Sequence, residues 1–395
     1  MRILGAFALS LALVPVTACG GSKLKVTSTA AAKKSDRTDV APPAIKAMVE
    51  GAAFAKIYLE SGDATGAKGK AIAKLDEALV LDDRLWEAHY DLGLVHAKAG
   101  ELGKAEEHLA KAASMAPDNE PVAVALCEVR RRRGETKSAA EGLEAYCKTH
   151  PNALDARARL VVVLREAGRY DDAMGHARYI LARRPLDDGT RAELALAHLA
   201  KGERDTAELL AAQAVKSNPK SAAAQRAHGL VSLQKGDDAE AFRAFEKAAE
   251  LDPSDTTARV NMGNVLLRAG AFKEAEHAFR QALGTSPNDE GAMLGLAIAL
   301  RGQKKLDESR ATYEKLLDRS PKHLAATFGL AVLYADHLKD NGKARLLFKQ
   351  VAGDAPSGSA MRTEAEKYLK ELPDSAPSKP EPPPPGKSPA KKGKP

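Results

Sequence analysis

The chain has 395 residues, 44% apolar and 29% charged, so it can bury a large core, yet only 4% are aromatic and Trp86 is the single tryptophan. That composition suits alanine- and leucine-based helix packing and argues against an aromatic-lined catalytic or carbohydrate-binding cleft. The net charge of +7 resides in the two ends and leaves the body neutral, which excludes a body built as a basic nucleic-acid-binding surface.

Met1–Ala18 carries one charge, Arg2, followed by an apolar run from Ile3 to Val16. The run is short for a membrane span and sits at the terminus, which reads as a secretory signal. It ends Val16-Thr17-Ala18-Cys19 and continues Gly20-Gly21. Small residues immediately before a cysteine resemble the lipobox of bacterial lipoproteins, although Val16 stands where that pattern more often has leucine. The resemblance implies cleavage before Cys19 and lipidation of its thiol. The other reading is an ordinary signal with a coincidental cysteine. Gly20 in place of an aspartate resembles lipoproteins sorted to the outer membrane. Residues 19–43 then read as a tether without periodicity, in which Lys23, Lys25, Lys33, Lys34 and Arg37 outnumber Asp36 and Asp39. As a flexible coil it spans roughly 25–30 Å.

Residues 44–372 are periodic. Pro117, Pro151, Pro185, Pro219, Pro253, Pro287 and Pro321 are spaced by 34, and Pro356 follows at 35. Gly100, Gly134, Gly168, Gly202, Gly236 and Gly270 keep the same period, as do the small residues Ala71, Ala105, Ala139, Ala173, Ala207, Ala241, Ala275 and Ser309. A fixed period of this size marks a stacked repeat. Glycine past a helix end supplies a left-handed turn, proline cannot continue a helix, and a small residue lets two helices cross closely. Each period is therefore helix A, turn, helix B, turn. Ala44–Asp83 reads as an atypical first repeat, with helix A ending at Tyr58-Leu59 and helix B running from Ala71 to Asp82. Eight more follow, from Arg84–Pro117 to Lys322–Pro356. The last carries one inserted residue, placed around Lys339–Gly342. Ser357–Leu372 reads as a capping helix. Residues 373–395 are rich in proline and lysine, and their composition predicts a disordered tail.

The period and the segments His228–Asp255 and Met262–Asp289 resemble the tetratricopeptide repeat. Gly229 and Gly263 fall at that family's helix-A glycine, and Phe245 and Phe279 at its helix-B aromatic. The resemblance implies an all-α, right-handed superhelical solenoid of about nine repeats whose helix-A row lines a concave groove. Some members of the family hold a partner's C-terminal carboxylate in a basic clamp. Asn264 matches one clamp position, but Val260 stands where a lysine belongs, so no such clamp is expected.

From the repeat phase, Leu196, Leu199, Leu230, Leu233, Val260, Leu267, Leu294, Ile298, Phe328 and Val332 face the groove. Two readings stand: an apolar stripe that binds a partner, or side chains half buried against neighbouring helices. Arg130–Arg133 closes one helix A. The run reads either as cations stabilising a helix C-terminus or, through Arg131 and Arg132 together with Arg165, as a receptor for an acidic peptide. Cys127 and Cys147 lie on the two helices of one repeat and read as a disulfide or as two buried thiols. His89 and His96 share a helix face and read as core or interface residues. No HExxH, CxxC, GxSxG or glycine-rich phosphate loop occurs. The expectation is a non-enzymatic protein without cofactor, metal, nucleic-acid or small-molecule partner.

Together these features resemble repeat lipoproteins of the bacterial envelope that serve gliding motility, pilus assembly or secretion. They imply a protein-binding scaffold anchored through Cys19 in a membrane-associated complex, on the periplasmic face of the outer membrane. The alternative is a cell-wall-binding lipoprotein or a scaffold for peptidoglycan enzymes.

Overall fold

The glycine and proline rungs set where each helix stops. The computed structural model describes residues 40–63 and 65–372, which hold helices and turns and no strand. Nine helix pairs run in order: α1 (Pro42–Ser61) with α2 (Ala67–Leu81), α3 (Trp86–Lys98) with α4 (Leu102–Met115), α5 (Glu120–Arg132) with α6 (Thr136–Thr149), α7 (Leu154–Glu166) with α8 (Tyr170–Leu181), α9 (Asp188–Ala200) with α10 (Arg204–Ser217), α11 (Ala222–Lys235) with α12 (Asp238–Leu251), α13 (Thr256–Arg268) with α14 (Phe272–Thr285), α15 (Glu290–Gly302) with α16 (Leu306–Arg319), and α17 (Leu324–Val332) with α18 (Asn341–Asp354). A closing helix, α19 (Ala360–Glu371), follows. This is the all-α repeat stack read from the sequence. The predicted signal, the tail and most of the tether, with Cys19, lie outside the described residues. None of the described helices is long and apolar enough to cross a membrane.

Each glycine rung is left-handed, with φ from 74° at Gly270 to 85° at Gly236. The residue after each glycine returns its amide to the helix just ended: Glu101 to the His96 carbonyl at 2.9 Å, Glu135 to Arg130 at 2.9 Å, Asp237 to Ser232 at 3.0 Å. This is the Schellman closure that glycine favours. The closure outlasts the glycines. Lys304, 34 residues beyond Gly270, has φ 63° and is followed by the same bond, from Lys305 to Leu300 at 3.0 Å. The prolines stand just past the helix-B ends. Pro151, for example, follows His150, the C-cap of α6. Two residues after several prolines a side chain caps the next helix A, as Asn119, Asp187, Ser221 and Asp289 do.

The chain forms two compact units, one ending at Ala258 and one beginning at Arg259. In the first, each helix packs on the next, and the A helices also meet one another: α5 with α7, α7 with α9, and α9 with α11. The small rungs Ala105, Ala139, Ala173, Ala207 and Ala241 are buried at the crossings. In the second unit Ala275 and Ser309 do the same, and the Ser309 hydroxyl donates to the Ala297 carbonyl at 2.8 Å.

Three boundaries differ from the sequence reading. Helix α1 runs on to Ser61, and α2 starts at Ala67, four residues before Ala71. The Lys68 amide bonds the Asp63 carboxylate at 2.8 Å and supports this early start. The inserted residue is not in the loop after Lys339; a π-helical turn, Leu333–Leu338, absorbs it at the end of α17. One extra residue per turn is what a π-bulge accommodates. The capping helix begins at Ala360, because Ser359 accepts the Arg362 amide as its N-cap.

Candidate partner-binding groove

The A helices of the first unit carry a row of charges that belong to one another. The Arg131 guanidinium donates to Glu128 at 2.7 Å and, one repeat on, lies 3.2 Å from Glu166. Arg159 approaches Glu128 at 3.5 Å, and Arg165 Nε donates to Glu193 at 2.8 Å. Arg226 lies 4.0 Å from Glu193 and bonds Asp255. These side chains are only 4–13% exposed. Burial alone would raise the Glu128 and Glu193 carboxyls. For Glu128 the hydrogen bond from Arg131 and the charges of Arg131 and Arg159 outweigh it, and for Glu193 the charges of Arg165 and Arg226 do, so both are held below the usual range. At Glu166 burial wins over Arg131 and Arg165, and its carboxyl is raised.

Every member of the arginine run is engaged within the chain. Arg130 Nε donates to Glu106 at 2.9 Å, and Arg133 bonds the same carboxylate. Exposed Arg132 donates to the Ala97 carbonyl at 2.9 Å, near the C-terminus of α3. In the preceding repeat Lys98 has the same role, reaching the Tyr58 carbonyl at 2.9 Å and that of Leu59 at 2.7 Å. The geometry favours cations that close helix ends and pair with glutamates over an open acidic-peptide receptor. Sequence reasoning missed Glu128, Glu166, Glu193, Arg226 and Asp255. The signal was there: opposite charges recur on successive A helices, 35 residues apart for Arg131 and Glu166 and 28 apart for Arg165 and Glu193.

The apolar positions divide. In the first unit Leu196 is buried with Ala192 and Ala227, while Leu199 and Leu230 are half buried beside them. Leu233 is half buried and belongs to none of the core clusters. In the second unit Val260 and Leu267 pack on the cluster around Phe279. Leu294, Ile298 and Phe328 pack on the cluster around Tyr313 and Phe348, in which Val332 is buried. The Phe328 ring meets Phe348 edge-on at 5.7 Å. None of these residues is among the strongly exposed large apolar side chains.

Cys127 and Cys147 are free, buried thiols. Of the two readings, the structure has the pair of buried thiols. Both belong to one buried cluster, with Leu143 and Leu160. Burial pushes Cys127 up to about 12 and raises Cys147 as well. His89 and His96 meet a third histidine from α4. His89 Nδ1 lies 3.0 Å from His108 Nδ1, and the His96 and His108 rings stack at 5.6 Å. Burial first, and the neighbouring His89 and His96 second, lower His108 to about 4. His96 also bonds Glu101 at 2.8 Å. Among the described residues no group of three or more histidine, cysteine or acidic side chains is arranged to hold a metal ion.

The sequence profile of the tetratricopeptide repeat matches residues 86–119, 125–188, 193–256, 260–323 and 294–359. Among solved structures, a human IFIT1 dimer with m7Gppp-AAAA is 15% identical, with a TM-score of 0.59 over 82% of this chain and 80% of that one. Pseudomonas aeruginosa PilF is 20% identical, with a TM-score of 0.47 over 54% of this chain and 96% of that one. At these identities the IFIT1 likeness concerns the fold alone. No curated protein matches the chain.

Proposed function

Since the chain belongs to the tetratricopeptide-repeat family, whose repeats serve protein–protein interaction, we propose that it is a lipid-anchored periplasmic scaffold. It holds a component of a cell-envelope machine, of the gliding-motility, type IV pilus or secretion kind, close to the outer membrane. The observation that carries this reading is the order of segments: Val16-Thr17-Ala18-Cys19, a polar spacer, then nine helix pairs with no catalytic motif. The neutral body supports a protein partner over a nucleic acid.

Replacing Cys19 by serine tests the anchor. The expected outcome is loss of acyl labelling and release into the soluble fraction. A single acyl chain gives marginal binding at about 0.8 kcal/mol per buried CH₂, so firm anchoring needs the several chains of a lipoprotein. Unchanged membrane fractionation of that variant would refute the anchor. Crosslinking and pull-down from solubilised envelopes tests the scaffold and identifies the machine. The lysine- and proline-rich residues 373–395 favour a second reading, retention on the cell wall. Deleting them abolishes wall retention if that reading holds and leaves partner capture intact if the scaffold reading holds.

A further inference from the structure

The large apolar side chains left most exposed are not spread along the chain. Ile45, Val49, Ile57, Val80 and Leu81 all lie on α1 and α2, and only Met115, Leu186, Leu209 and Leu346 lie elsewhere among the described residues. On α1 they form a row at four-residue spacing, Ile45, Val49, exposed Ala53 and Ile57, opposite the buried row of Ala44, Ala47, Met48 and Ala55. Such a helix is two-faced, and among the described residues nothing covers its outer face. Val80 is 86% exposed and Val49 50%. The start of α1 adjoins the end of α2, because Ala41 lines one open depression with Leu79–Arg84. The apolar row therefore begins where the chain enters its first helix, at the end nearest Cys19.

We propose that this face of the first repeat lies against an anionic phospholipid surface, a contact that rests on the anchored reading above. Three observations choose the bilayer over a second copy. Only residues 20–39 separate Cys19 from the described fold, and a flexible segment of that length has a root-mean-square span of roughly 25 Å, so a lipid-bound Cys19 keeps α1 close to the headgroups. That spacer is basic, through Lys23, Lys25, Lys33, Lys34 and Arg37. On this face exposed Lys46 and Lys56 outnumber exposed Glu60, and Glu50, beside it, is engaged by Lys74 at 3.4 Å. A helix with aliphatic residues on one face and lysines beside them settles in the interface plane without crossing it. Lipid contact at α1 would fix how the repeat body stands on the membrane, which a tether alone leaves open.

The test uses the chain without residues 1–19, which removes the anchor and the apolar leader and none of the described elements. An environment-sensitive fluorophore is placed on Val49→Cys. Vesicles of phosphatidylethanolamine and phosphatidylglycerol should shift its emission to the blue and carry the protein upward in flotation. Ile45→Ser with Ile57→Ser, in the same labelled chain, should cut the bound fraction about tenfold with an unchanged thermal melt, since both side chains are exposed. No emission shift with vesicles overturns the proposal, as does equal binding by the double variant. A shift that grows with protein concentration in the absence of lipid also overturns it and assigns the face to a second copy. Because this chain lacks Cys19, its result is independent of the acyl-labelling test of the anchor.

Discussion

Tyr313 on α16 offers a sharp test of how the helix-B rungs are packed. Phe245, Phe279 and Phe348 occupy the equivalent rung in other repeats and are fully buried, and so is Tyr313. Its hydroxyl is buried without a hydrogen-bond partner among the described residues, and burial raises its pKa. The ring lies under Gly329 of α17, where an added Cβ would come within 2.6 Å of the hydroxyl oxygen. A buried hydroxyl with no partner costs about 1–3 kcal/mol by protein mutational data. Removing it forfeits a few dispersion contacts of roughly 0.1–0.2 kcal/mol each. Tyr313→Phe should therefore stabilise the protein by about 1 kcal/mol, which raises the melting temperature by a few degrees. Urea denaturation followed by circular dichroism measures it: the midpoint should rise at constant slope. Destabilisation by about 1 kcal/mol or more would mean that the hydroxyl is hydrogen-bonded after all, and the reasoning would fail.

Lys304→Gly should stabilise by roughly 0.5–1 kcal/mol, since a side chain in the left-handed region costs about 1–2 kcal/mol and the gain is partly offset by a looser unfolded chain. Calorimetry of that variant beside Gly270→Lys, expected to move the opposite way, checks it. His108, lowered to about 4, contributes stability in full above its unfolded value of about 6.5 and loses it as pH falls toward the folded value. Discounted for partial exposure, the loss should be about 1 kcal/mol between roughly pH 7 and pH 5, and urea midpoints of His108→Leu should lack that slope. Leu233→Asp, at a half-buried position outside the core clusters, should cost about 1 kcal/mol or less yet weaken partner capture by about 2 kcal/mol. A stable variant that still captures its partner would remove the groove from consideration at this position.

The helix count, the helix ends within the regular repeats and the crossings were legible because each is imposed by one residue type acting locally. Glycine permits the left-handed closure, proline stops helix B, and alanine fits the crossing. Features set by the backbone alone were not legible. Lys304 and Lys339 adopt the left-handed conformation, with φ 63° and 59°, although nothing in a lysine announces it. The extra residue of the last repeat is visible in the spacing, but its place in a π turn before Lys339 depends on how α17 packs. The groove was half legible. Helical phase put Arg131 and Arg165 on helix-A faces, but phase cannot say that Glu166 and Glu193 from the next repeats reach them first. The outer face of α1 was missed because periodicity finds two-sided helices without telling which side meets a neighbour.

The pairing of that charged row decides what the first unit can select. Four arginines, 131, 159, 165 and 226, stand among four carboxylates, 128, 166, 193 and 255, so the row is neutral as well as buried. Such pairs contribute little net stability, because desolvation offsets their attraction, but stripping one partner leaves a buried charge that costs about 3–5 kcal/mol. An acidic peptide entering here would have to displace Glu166 or Glu193 from its arginine. That exchange replaces one carboxylate by another and yields no net gain. The row is therefore poorly suited to capturing charge and well suited to fixing the register of α5, α7, α9 and α11, since a helix displaced along its neighbour would strand an arginine. Under the scaffold function proposed above, selection of a partner falls to the half-buried aliphatics Leu199, Leu230 and Leu233. An extended or helical segment can meet them through apolar contact, with the ion pairs beneath holding their spacing constant.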